Sequence, residues 1–293
     1  MSTPTVCAIV LDYYGAVKTR QCLLSLVGQG LTTAYVLDNS HTDAAATQIR
    51  QAIERLRDEV LDYKIEILST GKNLGFGGGV NFVLRHDLGL NVSHDFYLLL
   101  NNDAVAGPGL VENMIAEFQK DPEVALVAPR VVSSSQEREQ GIWYHRYLGL
   151  LFSSPGRFRF HYFTGCCLLF RRQLTDENGL FDESFFMYGE DAELGWRLTR
   201  LGKKTICAQD VFVQHEYGPS VDRSSFFYEY HMTRGHLLLS WKTWVHPIEI
   251  PLLLLTKLIG LGARATARSC RYRTLIPIFS LFVAWLPLRV DKT

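Results

Sequence analysis

Five short polar segments follow one another along the chain, and each carries side chains that can bind a ligand or a proton. In order they are Asp38–Ser40, the glycine-rich stretch 73–79, Asn101–Asp103, Glu190–Asp191 and His215. Carboxylate, amide and imidazole groups bind divalent cations and nucleotides, and a carboxylate can also act as a base. Together the segments predict a site that holds a nucleotide, seats a cation beside its diphosphate and keeps one carboxylate as a base.

The stretches between these segments predict alternating strands and helices. Four short apolar runs have the composition of buried strands, and residues at helical spacing separate them. The predicted strands are Val6–Leu11, Ala34–Leu37, Ile65–Leu68 and Phe96–Leu100, and the predicted helices are Lys18–Leu26, Asp43–Leu61 and Val80–Leu88. This alternation indicates an α/β fold with a mostly parallel central sheet flanked by helices. Ligand sites in such sheets lie at the carboxyl ends of the strands, where the early polar segments stand.

The second half of the chain has a less regular pattern. The further predicted elements are a helix opened by Pro108, a strand at Val124–Val132, a polar loop at Ser133–Gln140, a strand at Phe163–Phe170, a helix at Ala192–Leu201, a short strand at Val211–Val213 and a helix at Phe226–Trp244. The segment 142–159 has no clean periodicity. We therefore predict one domain of residues 1–240, with halves at 1–132 and 133–240, followed by a tail of residues 241–293.

Composition limits the class of protein. With 293 residues, 47% of them hydrophobic, the chain can bury a full core. The formal net charge is zero, so no general attraction for nucleic acid is expected. The six cysteines include no CxxC pair, which predicts reduced thiols and a reducing compartment. No basic segment precedes the first apolar run, so no signal peptide is expected and a cytoplasmic location is predicted.

The tail is both apolar and basic. From Lys242 to Lys292 the chain has eight Lys and Arg residues against two acidic residues. Its apolar runs, Ile248–Leu261 and Leu275–Leu288, are each about 14 residues long, shorter than the ~20 needed to span a bilayer. The basic stretch Arg264–Arg273 lies between them. This alternation predicts helices that lie on an anionic membrane surface, while helices packed on the domain and a spanning helix are the alternatives.

Each of the earlier polar segments also has an ordinary structural explanation. Asp38 could close an Asx turn or cap the next helix. The glycine-rich stretch could be only a tight strand-to-helix turn. The order of its residues excludes both a P-loop and a GxGxxG motif. Asn101–Asp103 could be a polar turn, and because Asp103 is its only charged residue, a cation there would need oxygen ligands from a diphosphate. His215 is compatible with a core histidine or with a ligand of that cation.

The segment Gly179–Glu193 places carboxylates among large apolar side chains. The five acids are Asp182, Glu183, Glu190, Asp191 and Glu193. Favourable interaction with a helix N-terminus accounts for Glu193. Burial among phenylalanine, methionine and tyrosine raises a carboxyl pKa towards the range useful to a general base, which makes Glu190 and Asp191 candidates for that role.

With these residues in hand, the chain resembles the family 2 glycosyltransferases, which are inverting enzymes of the GT-A fold, and within them the bacterial rhamnosyltransferase-like branch. The resemblance covers about residues 5–235. It is carried by the opening strand 9–15, Asp38–Ser40, the loop Asn73–Asn81, Asn101–Asp103, the segment Gly179–Arg197 and the element His215–Ser220. Two positions depart from the family pattern: Tyr14 stands where asparagine is usual, and Asn101 replaces the first aspartate of Asp-x-Asp.

The resemblance implies a role for each matching residue. It places Tyr13, Asp38, Asn73, Gly75 and Asn102 on the nucleotide, Asp103 and His215 at a Mg²⁺ or Mn²⁺ ion, Asp191 as the base, and Glu190, Trp196 and Arg197 at the acceptor. The first half of the domain would then bind the nucleotide and the second half the acceptor.

The resemblance also implies an activity, namely transfer of a sugar from a nucleotide-sugar donor. The branch favours L-rhamnose from dTDP-rhamnose, and the tail favours a glycan or polyprenyl-diphosphate-linked acceptor at the inner face of the cytoplasmic membrane, in bacterial cell-surface polysaccharide synthesis such as O-antigen or cell wall. The alternatives are a nucleotidyltransferase and a non-catalytic nucleotide-sugar-binding membrane-associated protein. The sequence is also compatible with a homo-oligomer.

Overall fold

The structure, a computed structural model, describes residues 3–57, 61–90, 94–133, 136–138, 141–175, 179–215 and 222–288. The chain forms two compact units. Unit 1 comprises Met1–Gln140, Phe163–Phe181 and Arg200–Glu216, and unit 2 comprises Gly141–Tyr162, Asp182–Thr199 and Tyr217–Thr293. The division into residues 1–240 and 241–293 stays a prediction.

Strands and helices alternate through the first half of the chain, as its sequence predicts. The strands are β1 (Val6–Asp12), β2 (Thr33–Asp38), β3 (Lys64–Ser69), β4 (Phe96–Leu100), β5 (Ala104–Ala106), β6 (Val124–Ser133), β7 (Gln136–Arg138), β8 (Ile142–His145), β9 (Leu151–Phe152), β10 (Arg159–Tyr162), β11 (Cys167–Arg171) and β12 (Lys204–His215). The helices are α1 (Ala16–Leu24), α2 (Asp43–Arg57), α3 (Gly75–Gly89), α4 (Leu110–Lys120), α5 (Glu190–Arg200), α6 (Phe226–Lys242), α7 (Ile250–Tyr272) and α8 (Ile276–Val283).

Unit 1 is built on a sheet with the strand order β3-β2-β1-β4-β11-β6-β12-β5, and β7 pairs with β6. The strands β1 to β4 are parallel to one another, and β12 is parallel to β6. Strand β11 is antiparallel to both β4 and β6. The predicted α/β fold is therefore confirmed, with a sheet that is parallel around β1 and mixed beyond β4.

The core of unit 1 lies between this sheet and the helices α1, α2 and α4. Strands β1, β2 and β4 are buried almost throughout, which explains why they are apolar runs without alternation. Fully buried members of the core include Val10, Val36, Leu98, Leu23, Ile49 and Met114. Burial of such side chains is the main driving force for folding.

Helix α3 begins at Gly75 and not at the predicted Val80. The glycine-rich stretch therefore forms the first turns of a helix, where the sequence predicted a loop. A Cβ atom on Gly79 would lie 3.1 Å from Leu11 Cδ1 and 3.3 Å from Leu37 Cδ2. The small residues thus allow α3 to approach β1 and β2 closely.

Several later boundaries also differ from the prediction. The sequence predicts a strand only at Val211–Val213, but β12 is much longer. Its first half also pairs in parallel with β6, and the register of this pairing shifts between Ala208 and Phe212. Strand β7 occupies part of the predicted loop Ser133–Gln140 and pairs antiparallel with β6. Strand β11 begins at Cys167 and not at Phe163. The predicted helix end near Leu61 is wrong, because Leu61 is not helical, and residues 58–60 lie outside the described residues.

Unit 2 combines a small antiparallel sheet, β10-β8-β9, with α6, α7, α8 and most of α5. The segment 142–159, which has no clean periodicity in sequence, thus contains short strands. A Cβ on Gly195 would lie 2.3 Å from Tyr162 Cβ, so α5 lies directly against β10. One core cluster joins the three C-terminal helices through Tyr230, Leu237, Leu261 and Ala284.

Helix α7 is one continuous helix of 23 residues. It runs to Tyr272 through most of the stretch Arg264–Arg273, which the sequence prediction placed between two apolar segments. Arg264 and Arg268 form ion pairs with the fully buried Glu229 of α6, and these pairs hold the second half of α7 against α6. Within the described residues, one helical segment is long and apolar enough to cross a bilayer. It is Pro247–Tyr272, which consists of α7 and the 3-10 turn directly before it, and 22% of its most apolar 18-residue stretch is buried.

A buried side chain of α3, Asn81, holds the segment that precedes the predicted acid pair. Its Oδ1 accepts hydrogen bonds from the backbone N–H groups of Leu180 (2.8 Å) and Phe181 (3.0 Å), and its Nδ2 donates to Phe181 O at 2.7 Å. Gly179 leaves room for this amide, since a Cβ there would lie 2.4 Å from Asn81 Oδ1. Asn81 is therefore a positioning residue for the chain around Leu180.

Asn81→Ala is expected to lower the free energy of unfolding by about 2–4 kcal/mol, because three buried backbone groups lose their partners. Urea denaturation measures this difference. Asn113→Ala is a matched control, since it removes an exposed amide that donates to Gly109 O, and it should change stability by less than about 0.5 kcal/mol. Equal stability of Asn81→Ala and the wild type would contradict the assignment.

Candidate active site

Buried polar side chains gather at the carboxyl ends of the strands around β1 in unit 1. Asp12, the last residue of β1, accepts hydrogen bonds from Thr19 Oγ1 (2.5 Å) and Asn102 Nδ2 (3.3 Å). Asn102 Nδ2 also donates to Thr19 Oγ1 at 3.0 Å. Burial raises the pKa of the Asp12 carboxyl, and the hydrogen bonds it accepts oppose that rise. Asp12, which the sequence analysis did not select, thus holds the predicted nucleotide-binding residue Asn102 at this edge.

Asp38 ends β2 beside Asp12, its Cα partner in the parallel ladder. Its buried Oδ1 accepts hydrogen bonds from the backbone N–H (3.0 Å) and the hydroxyl (2.5 Å) of Ser40. These bonds form the Asx turn that the sequence left as an alternative, and they fix the orientation of the carboxylate. Tyr13 follows Asp12 and packs edge-on against Tyr14, with ring centroids 4.8 Å apart.

Asn39 connects this turn to the start of α3. Its Nδ2 donates to Asn73 Oδ1 (3.2 Å) and Gly75 O (3.0 Å), and its Oδ1 accepts the N–H of Leu74 at 2.8 Å. Gly75 has a φ of +74°, a conformation that glycine adopts readily. The structure therefore brings the predicted residues Asn73 and Gly75 next to the turn that contains Asp38, through a side chain that the sequence analysis did not single out.

Asp103 and His215 meet just beyond the end of β4. His215 is the last residue of β12 and partners Ala104 in the antiparallel ladder with β5. Its Nε2 lies 3.0 Å from Asp103 Oδ1, and Lys18 Nζ lies 4.0 Å from Asp103 Oδ2. Burial raises the pKa of Asp103, but the hydrogen bond and charge of His215 and the charge of Lys18 leave this pKa below its ordinary value. The Asp103 carboxylate is therefore ionised at neutral pH.

The Asp103–His215 pair fits a divalent cation. When two ligand atoms bind the same ion with bonds of about 2.1 Å and an angle of about 90° between the bonds, the two atoms lie about 3 Å apart. The separation of Asp103 Oδ1 and His215 Nε2, 3.0 Å, is that of the hydrogen bond described above and is also compatible with this spacing. Carboxylate oxygen and imidazole nitrogen are both accepted by first-row divalent metals. Residues 216–220 of the predicted His215–Ser220 element lie outside the described residues.

In unit 2, Glu190 and Asp191 lie at the N-terminus of α5 and line a cavity of about 170 Å³. This volume is comparable with that of cavities that hold a benzene ring. The remaining lining is mainly aromatic and apolar, and it includes Tyr144, Tyr162, Tyr188, Met232, His236 and Leu239. Gly235 allows α6 to pack directly against the backbone of Tyr188, which precedes the acid pair. A Cβ atom on Gly235 would lie only 2.2 Å from Tyr188 O.

The two carboxyl groups of the acid pair have different environments. Glu190 is 6% exposed, and its Oε2 has no hydrogen-bond partner within the part of the chain that the structure describes. Burial, and then the negative charge of Asp191, raise the pKa of Glu190 to about 8, so Glu190 keeps its proton at neutral pH. Asp191 Oδ1 accepts the N–H of Ala192 at 2.8 Å. The pair therefore combines a buried carboxyl group whose Oε2 has no described partner with a carboxyl group that accepts a backbone N–H.

Glu190→Gln is expected to remove a pH-dependent loss of stability. In the unfolded chain Glu190 ionises near its ordinary pKa of about 4.3, whereas in the folded protein its pKa is about 8. The folded state binds more protons between these pH values, so its stability falls as pH rises across them. Urea denaturation at pH 5 and pH 8 should show the wild type losing a few kcal/mol relative to Glu190→Gln.

The exposed Glu112 of α4 provides the control for this titration. Glu112→Gln should follow the wild type at both pH values, because Glu112 is already solvated in the folded state. If the stability difference between the wild type and Glu190→Gln is the same at pH 5 and pH 8, Glu190 is ionised in the folded protein and the assignment is wrong.

The other predicted acceptor residues, Trp196 and Arg197, are not among the described residues that line this cavity. Trp196 is buried against Phe160, with ring centroids 5.3 Å apart, and the Arg146 guanidinium lies 4.7 Å from its ring centroid. Arg197 forms an ion pair with Glu193 one turn earlier, at 3.3 Å. Both side chains have structural contacts in unit 2, and their acceptor-binding role stays a prediction.

A separate group of metal-ligating side chains lies near the amino ends of β1 and β4. Ligand atoms of the buried residues Cys7, Asp87 and His94 lie within 4.8 Å of one another. Asp87 already accepts hydrogen bonds from the hydroxyl groups of Tyr35 (3.0 Å) and Tyr97 (2.7 Å), and His94 Nδ1 lies 3.1 Å from Asp87 Oδ2. Protein donors therefore satisfy this carboxylate, and the group is explained as a buried polar network.

Comparison with known protein families places the chain among the glycosyltransferases. Residues 9–179 match the family described as glycosyl transferase family 2, and residues 97–288 match glycosyl transferase family group 2. The first match contains the residues predicted to bind the nucleotide, together with Asp103, and the second contains Asp103, the acid pair and His215.

Known relatives and solved structures agree with this placement. The chain is 26% identical over 228 residues, 68% of this chain and 71% of the relative, to an N-acetylglucosaminyl-diphospho-decaprenol L-rhamnosyltransferase of Mycobacterium tuberculosis. It is 24% identical over 203 residues, 66% of this chain and 61% of the relative, to the low-salt glycan biosynthesis hexosyltransferase Agl10 of Haloferax volcanii. The mannosyltransferase PcManGT of Pyrobaculum calidifontis, solved with GDP-Man and Mn²⁺, superposes with a TM-score of 0.58 at 17% identity, over 97% of this chain and 87% of that one. This likeness confirms the GT-A fold.

Proposed function

This chain belongs to glycosyl transferase family 2, and we propose that it is an inverting enzyme that transfers L-rhamnose from dTDP-L-rhamnose to a sugar carried on a polyprenyl diphosphate. The family match covers more than half of the chain, residues 9–179. The name of the Mycobacterium tuberculosis relative, at 26% identity, supports both the rhamnosyl donor and the lipid-linked acceptor. The observation that carries the proposal is the acid pair Glu190 and Asp191, which lines a partly open cavity large enough for one ring.

We assign donor binding to the polar edge of unit 1. Asp38, held by Ser40, accepts hydrogen bonds from the base or the ribose, and Tyr13 contacts the same nucleoside. The backbone N–H groups of the first turn of α3 that follow Gly75 suit a diphosphate, because a helix N-terminus attracts anions. The N–H groups of Leu74 and Gly75 themselves already donate to Asn39 Oδ1 and Asn73 Oδ1. Asn102, fixed by Asp12, adds an amide to this set.

In this proposal Asp103 and His215 hold Mg²⁺ or Mn²⁺. The spacing of their ligand atoms is compatible with a shared cation, and the solved mannosyltransferase contains Mn²⁺. When bound, the cation offsets the negative charge that develops on the departing diphosphate. Because Asp103 supplies the only negative charge of the pair, diphosphate oxygens complete the coordination, and binding of donor and cation should be mutually dependent.

Asp191 acts as the general base on the acceptor. Its carboxylate takes the proton of the attacking hydroxyl group while that oxygen forms a bond to the anomeric carbon. The bond from the anomeric carbon to the diphosphate oxygen breaks, and its electron pair leaves with the nucleoside diphosphate. A single displacement of this kind inverts the anomeric configuration. Glu190, which keeps its proton at neutral pH, can donate a hydrogen bond to the acceptor but cannot take its proton.

We also propose that α7 and α8 lie against anionic lipid at the cytoplasmic face of the membrane. Both helices expose large apolar side chains at helical spacing: Leu252, Leu255 and Ile259 in α7, and Phe279 and Phe282 in α8, together with its N-cap Leu275. Residues 250–288 contain five Lys and Arg residues and no acidic residue. Lys257 is buried and Arg264 and Arg268 pair with Glu229, so Arg271 and Arg273 supply the exposed positive charge of this segment. An apolar face together with positive charge is typical of helices that lie in the membrane surface.

A panel of nucleotide sugars tests the proposal. Each donor is added with Mg²⁺ or Mn²⁺, binding is scored by thermal shift, and turnover is then measured with a polyprenyl-diphosphate-linked N-acetylglucosamine acceptor. We expect dTDP-L-rhamnose to give the largest shift and to yield a product of inverted anomeric configuration. A larger shift and turnover with another nucleotide sugar would overturn the donor assignment while leaving the family intact.

The rival activity, nucleotidyl transfer, predicts a different product. It would release pyrophosphate from a nucleoside triphosphate, whereas sugar transfer releases a nucleoside diphosphate. Measuring both products in the same reactions decides between them.

A further inference from the structure

Lys257 is a buried cation in the core of unit 2. Its side chain is 0% exposed, and among the described residues its Nζ has no hydrogen-bond partner. The ammonium lies 5.2 Å from the ring centroid of Tyr144. Burial, and then the positive charge of Arg146, lower the pKa of Lys257 to about 7. A lysine in this position lowers stability, because an apolar side chain of similar size would fill the space without losing hydration.

The carboxylates in the neighbouring elements are already paired with other cations. Glu229 of α6 pairs with Arg264 and Arg268, and Glu249 pairs with Arg146. The sequence has no acidic residue in 250–288 and none in 141–162, the segments that form α7, α8 and the small sheet. None of the described residues of these segments therefore supplies an unpaired carboxylate to Lys257, and the acidic groups on the cavity side are Glu190 and Asp191.

Lys257 adjoins the cavity that contains the acid pair. Gly149 lies where three side chains come together. A Cβ atom on Gly149 would be 3.3 Å from His236 Nδ1, 3.4 Å from the Tyr144 hydroxyl and 3.6 Å from Lys257 Cγ. Tyr144 and His236 both line the cavity, and the Tyr144 hydroxyl lies 2.8 Å from His236 Nδ1. Lys257 thus packs beside two residues of the cavity wall and is not itself among the described residues that line the cavity.

The turn that covers Lys257 is apolar and exposed. It joins β8 to β9 and exposes Leu148, Leu150 and Leu151, and Leu151 also lines the cavity. The same turn packs on α7, where Thr256 Oγ1 donates a hydrogen bond to Tyr147 O at 2.8 Å. A ligand in the cavity would therefore lie beside an apolar surface that can accept a hydrocarbon chain.

We propose that Lys257 binds a phosphate group of the ligand whose sugar occupies the acid cavity, and that it is the anion site for the diphosphate of a lipid-linked acceptor. The identity of this ligand rests on the proposed function. The group recognised is a diphosphate, which is also present in inorganic pyrophosphate and in the nucleotide-sugar donor. The experiment must therefore separate these sources.

The binding test uses inorganic pyrophosphate and three proteins, all carrying Asp103→Ala and measured with EDTA to suppress binding at the Asp103–His215 pair. Without ligand, Lys257→Met should melt several degrees higher than the parent, because the buried charge is gone. Pyrophosphate should raise the melting temperature of the parent and of Lys257→Arg, which keeps the charge, but not that of Lys257→Met. Equal shifts in the parent and Lys257→Met, or no shift in any of the three, would overturn the proposal.

The kinetic test compares two acceptors in the otherwise wild-type enzyme. One carries its sugar on a lipid diphosphate, and the other carries the same sugar as a neutral alkyl glycoside. Lys257→Met should raise KM for the diphosphate acceptor by about 10-fold or more, with kcat little changed and the alkyl glycoside unaffected. Lys257→Arg should restore most of the affinity. An equal change for both acceptors, or none for either, contradicts the proposed site.

The two tests also separate this site from the proposed function. If the wild type transfers sugar to neither acceptor, the proposed activity fails, and the pyrophosphate measurement alone still decides whether Lys257 binds a diphosphate.

Discussion

Asp191→Asn is expected to lower the rate of sugar transfer by about 10²–10⁴-fold while leaving donor binding nearly unchanged. Asparagine has almost the same shape and keeps an oxygen that can accept the Ala192 N–H, so the start of α5 should be preserved. It cannot take a proton from the acceptor hydroxyl group. Single-turnover transfer measures the chemical step, and calorimetric titration of the nucleotide sugar measures donor affinity in the same preparation.

Asp182→Asn is the matched control, because it removes a charge from the segment before α5 without touching the cavity. Asp182 forms an ion pair with Lys242 at 2.7 Å and is not among the described residues that line the cavity. We expect its transfer rate to stay within a few-fold of the wild type. Transfer by Asp191→Asn at close to the wild-type rate would show that another group is the base.

Glu190 is the obvious competitor for the role of base, and the pH profile distinguishes the two residues. If Glu190 took the proton, activity would rise as Glu190 ionises near pH 8 and would be lost in Glu190→Gln. If Asp191 is the base, Glu190→Gln keeps a hydrogen-bond donor in the cavity and should retain substantial transfer at neutral pH. The ratio of the two variants' rates at pH 7 is therefore the decisive measurement.

The strands of unit 1 and the edge they share were predictable because their physical signals are local. β1, β2 and β4 are buried on both faces, so each is an apolar run followed at once by polar residues. In parallel strands those polar residues must emerge at the same edge. Asp38 and Asp103 could be selected on this basis without knowledge of their partners.

The side chains that hold the site could not be selected in this way, because their function depends on distant contacts. Asp12 binds the amide of Asn102, 90 residues later, and Asn81 binds the backbone of Phe181, 100 residues later. In sequence both belong to turn-like polar or glycine-rich stretches. A usable signal did exist for Asp12, since two successive predicted strands, β1 and β2, are each followed directly by aspartate.

The organisation of unit 2 was less predictable for two physical reasons. The strands of its small sheet have two to four residues, too short to show alternation, and their aromatic side chains point to both faces. In the sequence of α7, the arginines that follow the apolar residues suggest that the apolar helix ends before them. Two of them, Arg264 and Arg268, form ion pairs with Glu229 of α6, and the helix continues through them. The sequence of α7 alone does not show these ion pairs, because Glu229 belongs to a different helix.

Asp103→Asn is the second change expected to have a large effect. It keeps the shape of the side chain but removes the negative charge that, with His215, would hold the cation. We expect the concentration of Mn²⁺ that gives half-maximal donor turnover to rise by about 10–100-fold, and the rate at saturating Mn²⁺ to fall by about 10²–10³-fold. Donor turnover measured across a series of Mn²⁺ concentrations gives both quantities.

Three companion variants make this result specific to the Asp103–His215 pair. His215→Ala should also raise the half-maximal Mn²⁺ concentration, and the double variant should be little worse than Asp103→Asn alone, because both residues act on one ion. Asp121→Asn removes a partly exposed carboxylate of the same unit, paired with Lys204 at 2.6 Å, and should leave the Mn²⁺ dependence unchanged. If Asp103→Asn and Asp121→Asn respond alike to Mn²⁺, charge screening and not coordination explains the metal effect, and the cation must be bound elsewhere in the protein.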